Sequence, residues 1–361
     1  PNSERIIEIA KNLNELGQID NFDLIQIQND MIVPVKAVFN ETSQERQRLV
    51  LKRMLNQGLI NQEDYDRALN EKIEITIEVN PGTTTKNNLQ MYRNCGINRL
   101  SIGLQSTHEH LLKEIGRIHT YLDFLDTFRF AREAGFENIN VDLMIGIPNQ
   151  TLEEVKDSIE EIVSMEPEHI SVYSLILEEG TPLFKKVEEG LELPDEELER
   201  KMYWNVKRIL EANGYNHYEI SNFAKQGYES KHNLDCWNQK EYIGFGIAAH
   251  SYTNGIRYSN IENIEQYIKN YDEDKTEENL VFHEKQDMEA MQKEYMLLGL
   301  RKIDGVSIQE FKIKFVANPV FLYHSELEKL VNEELLEIDG DQIKLTNKGL
   351  DLANIVWEEF I

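Results

Sequence analysis

Polar side chains stand at the ends of three apolar runs in this 361-residue chain. "IEITIEV" carries Glu78 and is followed by Asn80, "RLSIGLQ" ends in Gln105, and "NINVDLMIG" carries Asp142. A second group lies in "HNLDCW", where His232, Asn233, Cys236 and Trp237 put an imidazole, an amide, a thiol and an indole within six residues. Carboxylates accept hydrogen bonds from hydroxyl and ammonium groups, amides both donate and accept, and imidazole and thiolate bind metals. The plainer reading of both groups is structural. Strand-end residues cap strands and pair with one another, and a loop histidine is satisfied by backbone beside a Cys and a Trp of the core.

The elements that must position these groups follow from hydrophobic periodicity. Amphipathic helices fill the gaps between the three runs, and strand–helix–strand with polar carboxyl ends is how a parallel α/β barrel builds a site. The pattern continues with "TLEEVKDSIEEIVSM", a helix that Thr151 and Glu154 cap, and with "HISVYSLI", a fourth buried strand. A long helix runs from Pro194-Asp195 to Gly214, and "HYEISNFA" is a further extended segment.

Residues 1–72 read differently. Residues 3–16 form an amphipathic helix, "DLIQIQ" and "MIVPVKAVF" a hairpin, and residues 42–70 a helical hairpin. The last of these resembles a short helical piece of bifunctional penicillin-binding proteins; it contains none of that family's catalytic glutamates and implies a packing element. A generic helical hairpin reads equally well. After residue 260 the pattern is helix, longer helix over "EKQDMEAMQKEYMLLGLRKID", two more helices, a hairpin turning at Asp339-Gly340, and a last helix. That is a winged-helix-like domain. The expected division is therefore 1–72, 73–260 and 261–361.

Composition narrows the function. A formal net charge of −27 argues against nonspecific binding to nucleic acid or anionic membranes. No apolar run reaches transmembrane length and no signal segment opens the chain. The chain opens at Pro1 rather than Met, as a fragment or a processed chain would. Two cysteines, Cys95 and Cys236, make no disulfide framework, which fits a reducing, cytoplasmic compartment.

The motifs "IEVNPGT", "GINRLSIGLQS", "GRIHT", "NINVDLMIGIPNQT", "HISVYSLILEEGTP", "HYEISNFAKQGYESKHN" and "YIGFGIAAHSY" follow one another in order. From Ile73 to the C-terminus they resemble radical S-adenosylmethionine proteins of the oxygen-independent coproporphyrinogen III oxidase group, and within it the heme chaperones of the HemW type. The resemblance implies a partial (β/α) barrel with a C-terminal helical domain. It implies S-adenosylmethionine contacts at Glu78, Gln105, Arg117 and Asp142, with the carboxylates accepting from ribose hydroxyls or the ammonium and Arg and Gln holding the carboxylate. It also implies a [4Fe–4S] cluster held by CxxxCxxC and a GGGTP segment, and this sequence has neither. Three thiolates are needed to hold such a cluster with one iron open, and two distant cysteines do not supply them.

The group's heme signature, HNxxYW, reads here as "HNLDCW", with Cys236 at the Tyr position. Imidazole and thiolate are both axial heme ligands, so His232 is a candidate iron ligand, with Asn233, Cys236 and Trp237 around it. His119 and His250 are further candidates that more readily serve hydrogen bonds inside the barrel. Tyr218, Glu219, Ser221 and Asn222 look like a loop lining the same mouth. The expected function is heme, or tetrapyrrole, binding and delivery to an accepting protein, without radical chemistry. Two alternatives stand beside it: a radical enzyme acting on a porphyrinogen whose cluster half lies elsewhere, and a chimeric chain without function. The resemblance places the CxxxCxxC segment on a first barrel strand and GGGTP after a second, so their absence implies the loss of two front strands, which would leave "IEITIEV" with an open edge. The hairpin at 23–39 or the helices at 43–70 are expected to cover it.

Overall fold

The computed structural model describes residues 73–361 other than Asp274, together with Lys52, Leu55, Gln62, Tyr65 and Asp66, all helical. The expected first helix, the hairpin at 23–39 and the cover for the open edge lie outside the described residues. These residues fall into two compact units, one of 74–239 with 288–361, the other containing 240–287.

In the larger unit, β1 (Thr76–Val79), α1 (Lys86–Asn94), β2 (Arg99–Gln105), α2 (Glu109–Glu114), α3 (Tyr121–Glu133), β3 (Ile139–Ile145), α4 (Leu152–Ser164) and β4 (His169–Ser174) alternate as expected. Strands β1 to β4 are parallel neighbours. Helices α5 (Pro182–Glu188) and α6 (Glu196–Ala212) follow, then β5 (Asn216–Glu219) and β6 (Asn222–Ala224). "HYEISNFA" is thus a tight antiparallel hairpin rather than one extended segment. β6 adds antiparallel to β4, and the sheet order is β1-β2-β3-β4-β6-β5.

Strand alternation decides which side chain faces which way. Leu100, Ile102, Leu104, Val141, Leu143, Ile170 and Val172 pack with Phe124 and Phe128 of α3, Val155 and Ile159 of α4, and Met202 and Val206 of α6 in one buried core. Each such side chain contributes about 1.5–3 kcal/mol by leaving water. The intervening residues form rows across the strands. Glu78, Ser101, Asn140 and His169 are register partners in one row, and Gly103, Asp142 and Ser171 in the next. Local chemistry fixes the helix starts. Thr120 with Asp123 and Thr151 with Glu154 both close full capping boxes, the second as expected.

α7 (Lys231–Trp237) ends this stretch of the unit. In the smaller unit, β7 (His250–Thr253), β8 (Ile256–Asn260), α8 (Ile264–Asp272) and β9 (Leu280–Lys285) form an antiparallel sheet of order β7-β8-β9 with one helix. The expected boundary at residue 260 falls at the end of β8, whose partner β9 returns from residue 280. That pairing keeps 240–287 together, and the break moves to 239/240 and 287/288. β9 also takes Glu284 and Lys285 from the long helix expected there, so α9 runs over Met288–Gly299.

The winged-helix-like part holds as expected. It comprises β10 (Val306–Ser307), α10 (Ile308–Phe315), α11 (Pro319–Leu322), α12 (His324–Asn332), β11 (Leu336–Asp339), β12 (Gln342–Leu345), α13 (Asn347–Asp351) and α14 (Ala353–Glu358). Its core joins Phe311, Phe315, Tyr323, Leu330 and Phe360. The β11–β12 hairpin turns at Asp339-Gly340, with Gly340 at φ 59°.

Candidate functional site

The inner face of the parallel strands lines a cavity of ≈ 300 Å³. Glu78 of β1, Gln105 of β2, Asp142 of β3 and Asn233 of α7 all border it. Three of the four residues singled out by the resemblance therefore meet in one place, and one residue of "HNLDCW" meets them there. Arg117 does not line it. Its Nη1 donates to Asn80 Oδ1 at 3.0 Å.

Gln105 reaches the cavity through an irregular strand end. The β2–β3 register shifts between Gly103 and Gln105, and Gln105 has φ 76°, in the left-handed region that non-glycine residues rarely adopt. Such strain concentrates at functional sites. Gly103 makes room: a Cβ there would lie 3.2 Å from Gln105 Nε2 and 3.4 Å from Asn80 Oδ1.

Asp142 accepts from Asn140 Nδ2 at 2.7 Å and from Ser101 Oγ at 3.1 Å. Burial raises its carboxyl above the ordinary aspartate range, and the charge of Glu78 acts the same way; the hydrogen bonds oppose the rise. Tyr173 is raised as well, by burial and then by Asp142. His169 is fully buried, with Nδ1 2.6 Å from Asn140 Oδ1 and Nε2 2.8 Å from the Tyr218 hydroxyl. Burial, with the charge of Arg99, holds its imidazole well below the usual histidine value. The Tyr218 hydroxyl also accepts from the backbone N–H of Ser230 at 3.2 Å, linking this network to the start of α7.

α7 carries the second group. Ser230 caps it and borders the cavity, and the N–H of Lys231 donates to Glu74 Oε1. His232 Nε2 and Cys236 Sγ lie 3.8 Å apart, one turn from each other. His232 is exposed. Trp237 lies against the guanidinium of Arg301, 4.5 Å from its ring centroid, and the same guanidinium is 4.9 Å from Trp357.

The remaining candidates separate. His119 is buried, and its Nε2 is 3.2 Å from Leu104 O, the hydrogen bonding expected of it. His250, expected to hydrogen-bond inside the barrel, belongs to the smaller unit. It sits exposed on β7 of the smaller unit, its ring stacked on His283 at 5.3 Å. Tyr218, Glu219 and Asn222 belong to the β5–β6 hairpin rather than a lining loop, and Glu219 is buried against Asn222. Sequence reading missed Arg99, Ser101, Asn140, His169 and Ser171. Their signal is a polar residue at every second position of strands whose other positions are uniformly apolar.

The cavity's donor set fits the ribose and amino ends of S-adenosylmethionine: recessed carboxylates at Asp142 and Glu78, an amide at Gln105, and a glycine that admits close approach. The [4Fe–4S] cluster is not fitted. Cys95 caps the C-terminus of α1 and Cys236 lies on α7, and among the described residues no group of three or more His, Cys, Asp or Glu is placed to hold a metal ion.

The family described as the radical SAM superfamily matches residues 3–162, a span that includes the segment before Ile73, and the HemN C-terminal domain matches residues 288–352. The fold is similar to that of coproporphyrinogen III oxidase (HemN) from Escherichia coli, with a TM-score of 0.67, 18% identity, and coverage of 92% of this chain and 85% of that one. These define a radical SAM protein of the HemN fold, a superfamily whose members use S-adenosylmethionine and a [4Fe–4S] cluster. The relative described as "Heme chaperone HemW" in Lactococcus lactis is 39% identical over 80% of this chain and 75% of its own length. That of Bacillus subtilis is 40% identical over 80% and 76%. The chain belongs to the HemW family. Among the described residues, no helix is long and apolar enough to cross a membrane.

Proposed function

We propose that the chain binds heme on α7 and passes it to an accepting protein, without radical chemistry of its own. The observation that carries this is the placement of an exposed His232 beside a half-buried Cys236 one helical turn on, next to the cavity-lining Asn233. Both side chains are axial ligands for heme iron. An exposed ligand suits a carrier, since cargo that must leave is better held on a surface helix than enclosed. The relatives' description as heme chaperones supports the reading.

S-adenosylmethionine, when bound beside a cluster, supplies radical chemistry in this superfamily. On this chain Glu78 and Asp142 would accept from its hydroxyl and ammonium groups, with Gln105 donating to one of its neutral acceptor groups. Arg117, engaged with Asn80, would act only at the rim. Heme titration followed at the Soret band tests the function. The expected result is a shifted Soret maximum at one heme per chain, changed in position or lost in His232→Ala. Absence of the shift, or an identical shift in His232→Ala, overturns it.

A further inference from the structure

Arg99 is a buried basic side chain on the cavity wall whose Nε has no hydrogen-bond partner. It stands at the start of β2, opposite Thr76 of β1, and is only 6% exposed. It borders the same cavity as Glu78, Asp142 and Asn233. Its Nε is buried without a hydrogen-bond partner, and among the described residues its guanidinium makes no ion pair. Of the polar groups on its face, Ser101, Asn140 and His169 are committed to one another and to Asp142 and Tyr218, and Asn138, opposite on the β3 side, makes no hydrogen bond to it, its own Oδ1 being buried without a partner. A buried guanidinium is normally paired, because desolvating a charge is costly unless hydrogen bonds compensate. Arg132 shows the ordinary arrangement in this chain, forking onto both oxygens of Glu168 at 2.8 and 3.0 Å.

An unpaired guanidinium facing a cavity is a receptor for a planar anion, and its fork matches a carboxylate. The surroundings select further. Glu78 and Asp142 share the cavity, so a dianionic phosphate would be repelled, whereas a ligand with one carboxylate arm and neutral or cationic remaining groups is complementary. We propose that Arg99 is the anchoring site for a ligand carboxylate that enters this cavity. Two ligands carry that group: a heme seated on α7, through a propionate, and S-adenosylmethionine, through its amino-acid end. The heme arm rests on the function proposed above; the S-adenosylmethionine arm does not.

The test compares each ligand with its carboxylate-free counterpart on the full chain. Heme is titrated against heme dimethyl ester at the Soret band. S-adenosylmethionine is titrated against its decarboxylated form by calorimetry. Both series are run on wild type, Arg99→Gln and Arg99→Lys. The expected result is that, for at least one ligand, removing the carboxylate or the Arg99 fork weakens binding on the order of 10- to 100-fold, and that the two losses are not additive. Which pair shows the loss identifies the source. Lysine restores part of it, as a point charge without the fork. A Soret shift that is insensitive to esterification and to Arg99→Gln, with S-adenosylmethionine equally insensitive, overturns the proposal, as does binding of neither carboxylated ligand. Absence of any Soret shift overturns the heme function, leaving the S-adenosylmethionine arm to decide Arg99. Folding is checked by thermal unfolding: Arg99→Gln keeps or raises Tm, because it removes an uncompensated buried charge. A lowered Tm together with unchanged binding assigns Arg99 to structure and also overturns the proposal.

Discussion

Asp142 and His169 face the same cavity wall through Asn140, and burial moves them in opposite directions. Asp142 has a folded pKa above its unfolded value. The stability it contributes is complete below the ordinary aspartate value of 3.8 and is lost as pH rises through the raised value. At neutral pH the folded state therefore carries a cost at this side chain, and Asp142→Asn relieves it. The expected outcome is a higher Tm at pH 7, by roughly 2–4 °C for each kcal/mol relieved, with the two curves converging toward acid. His169 has a depressed folded pKa. Its contribution is complete above the ordinary value of 6.5 and falls away as pH drops from there toward the folded value. His169→Gln cannot charge, so it flattens that acid loss while costing about 1–3 kcal/mol at neutral pH through imperfect bonding to Asn140 or Tyr218. Thermal unfolding across pH for the two variants reads both signs. A Tm for Asp142→Asn at or below wild type at pH 7 contradicts the first, and an unflattened acid limb in His169→Gln the second.

At the scale of elements, α7 is short and depends on its neighbours. Ser230 caps it, Lys302 Nζ donates to Asn238 Oδ1 at 2.6 Å just beyond its end, and Arg301 is held between Trp237 and Trp357. Each cation–π contact is worth about 0.5–2 kcal/mol. Arg301→Leu removes both, and also takes away the positive charge that offsets the burial-raised pKa of Glu219. It is expected to cost about 2–4 kcal/mol of stability. On the proposed heme reading it is also expected to weaken heme binding with the Soret maximum unmoved, because His232, the proposed ligand, stays while its helix loosens. A displaced maximum would instead make Arg301 part of the ligand set. Much of this architecture was legible from local pattern. The period-2 runs gave β1 to β4, the Thr-x-x-Glu spacing gave the start of α4, and Asp339-Gly340 gave the wing turn. What was not legible depends on partners distant in sequence. Nothing local says that β9 pairs with β8 across α8, or that "HYEISNFA" folds back on itself at Ile220-Ser221. The left-handed φ of Gln105 was invisible because a glutamine carries no mark of it. Nothing local marks Arg99 either, since its burial depends on strands and helices distant in sequence.

At the scale of the whole molecule, membership of a radical SAM family sits beside a sequence with only two cysteines. Cluster ligation is a geometric demand, since three thiolates must converge on one cube of iron and sulfur. Cys95 stands at the end of a helix between β1 and β2, and Cys236 on α7 beside His232, so neither belongs to a converging set. The cavity, by contrast, gathers carboxylates and an amide at Glu78, Asp142 and Gln105, groups suited to the hydroxyl and ammonium groups of an organic ligand. The two capacities separate experimentally. Anaerobic incubation of the chain with iron and sulfide should leave protein with far fewer than about four irons per chain and no broad absorption near the charge-transfer bands of a cubane cluster. The same preparation should still bind heme, and Cys95→Ser should change neither result. Cys236→Ser should alter only the heme spectrum, because its sulfur is the one within reach of the His232 face. Stoichiometric iron and sulfide in the wild-type chain would refute this division. It would require thiolates from another polypeptide, or a ligand set built from oxygen and nitrogen donors, to complete the site that these four parallel strands begin.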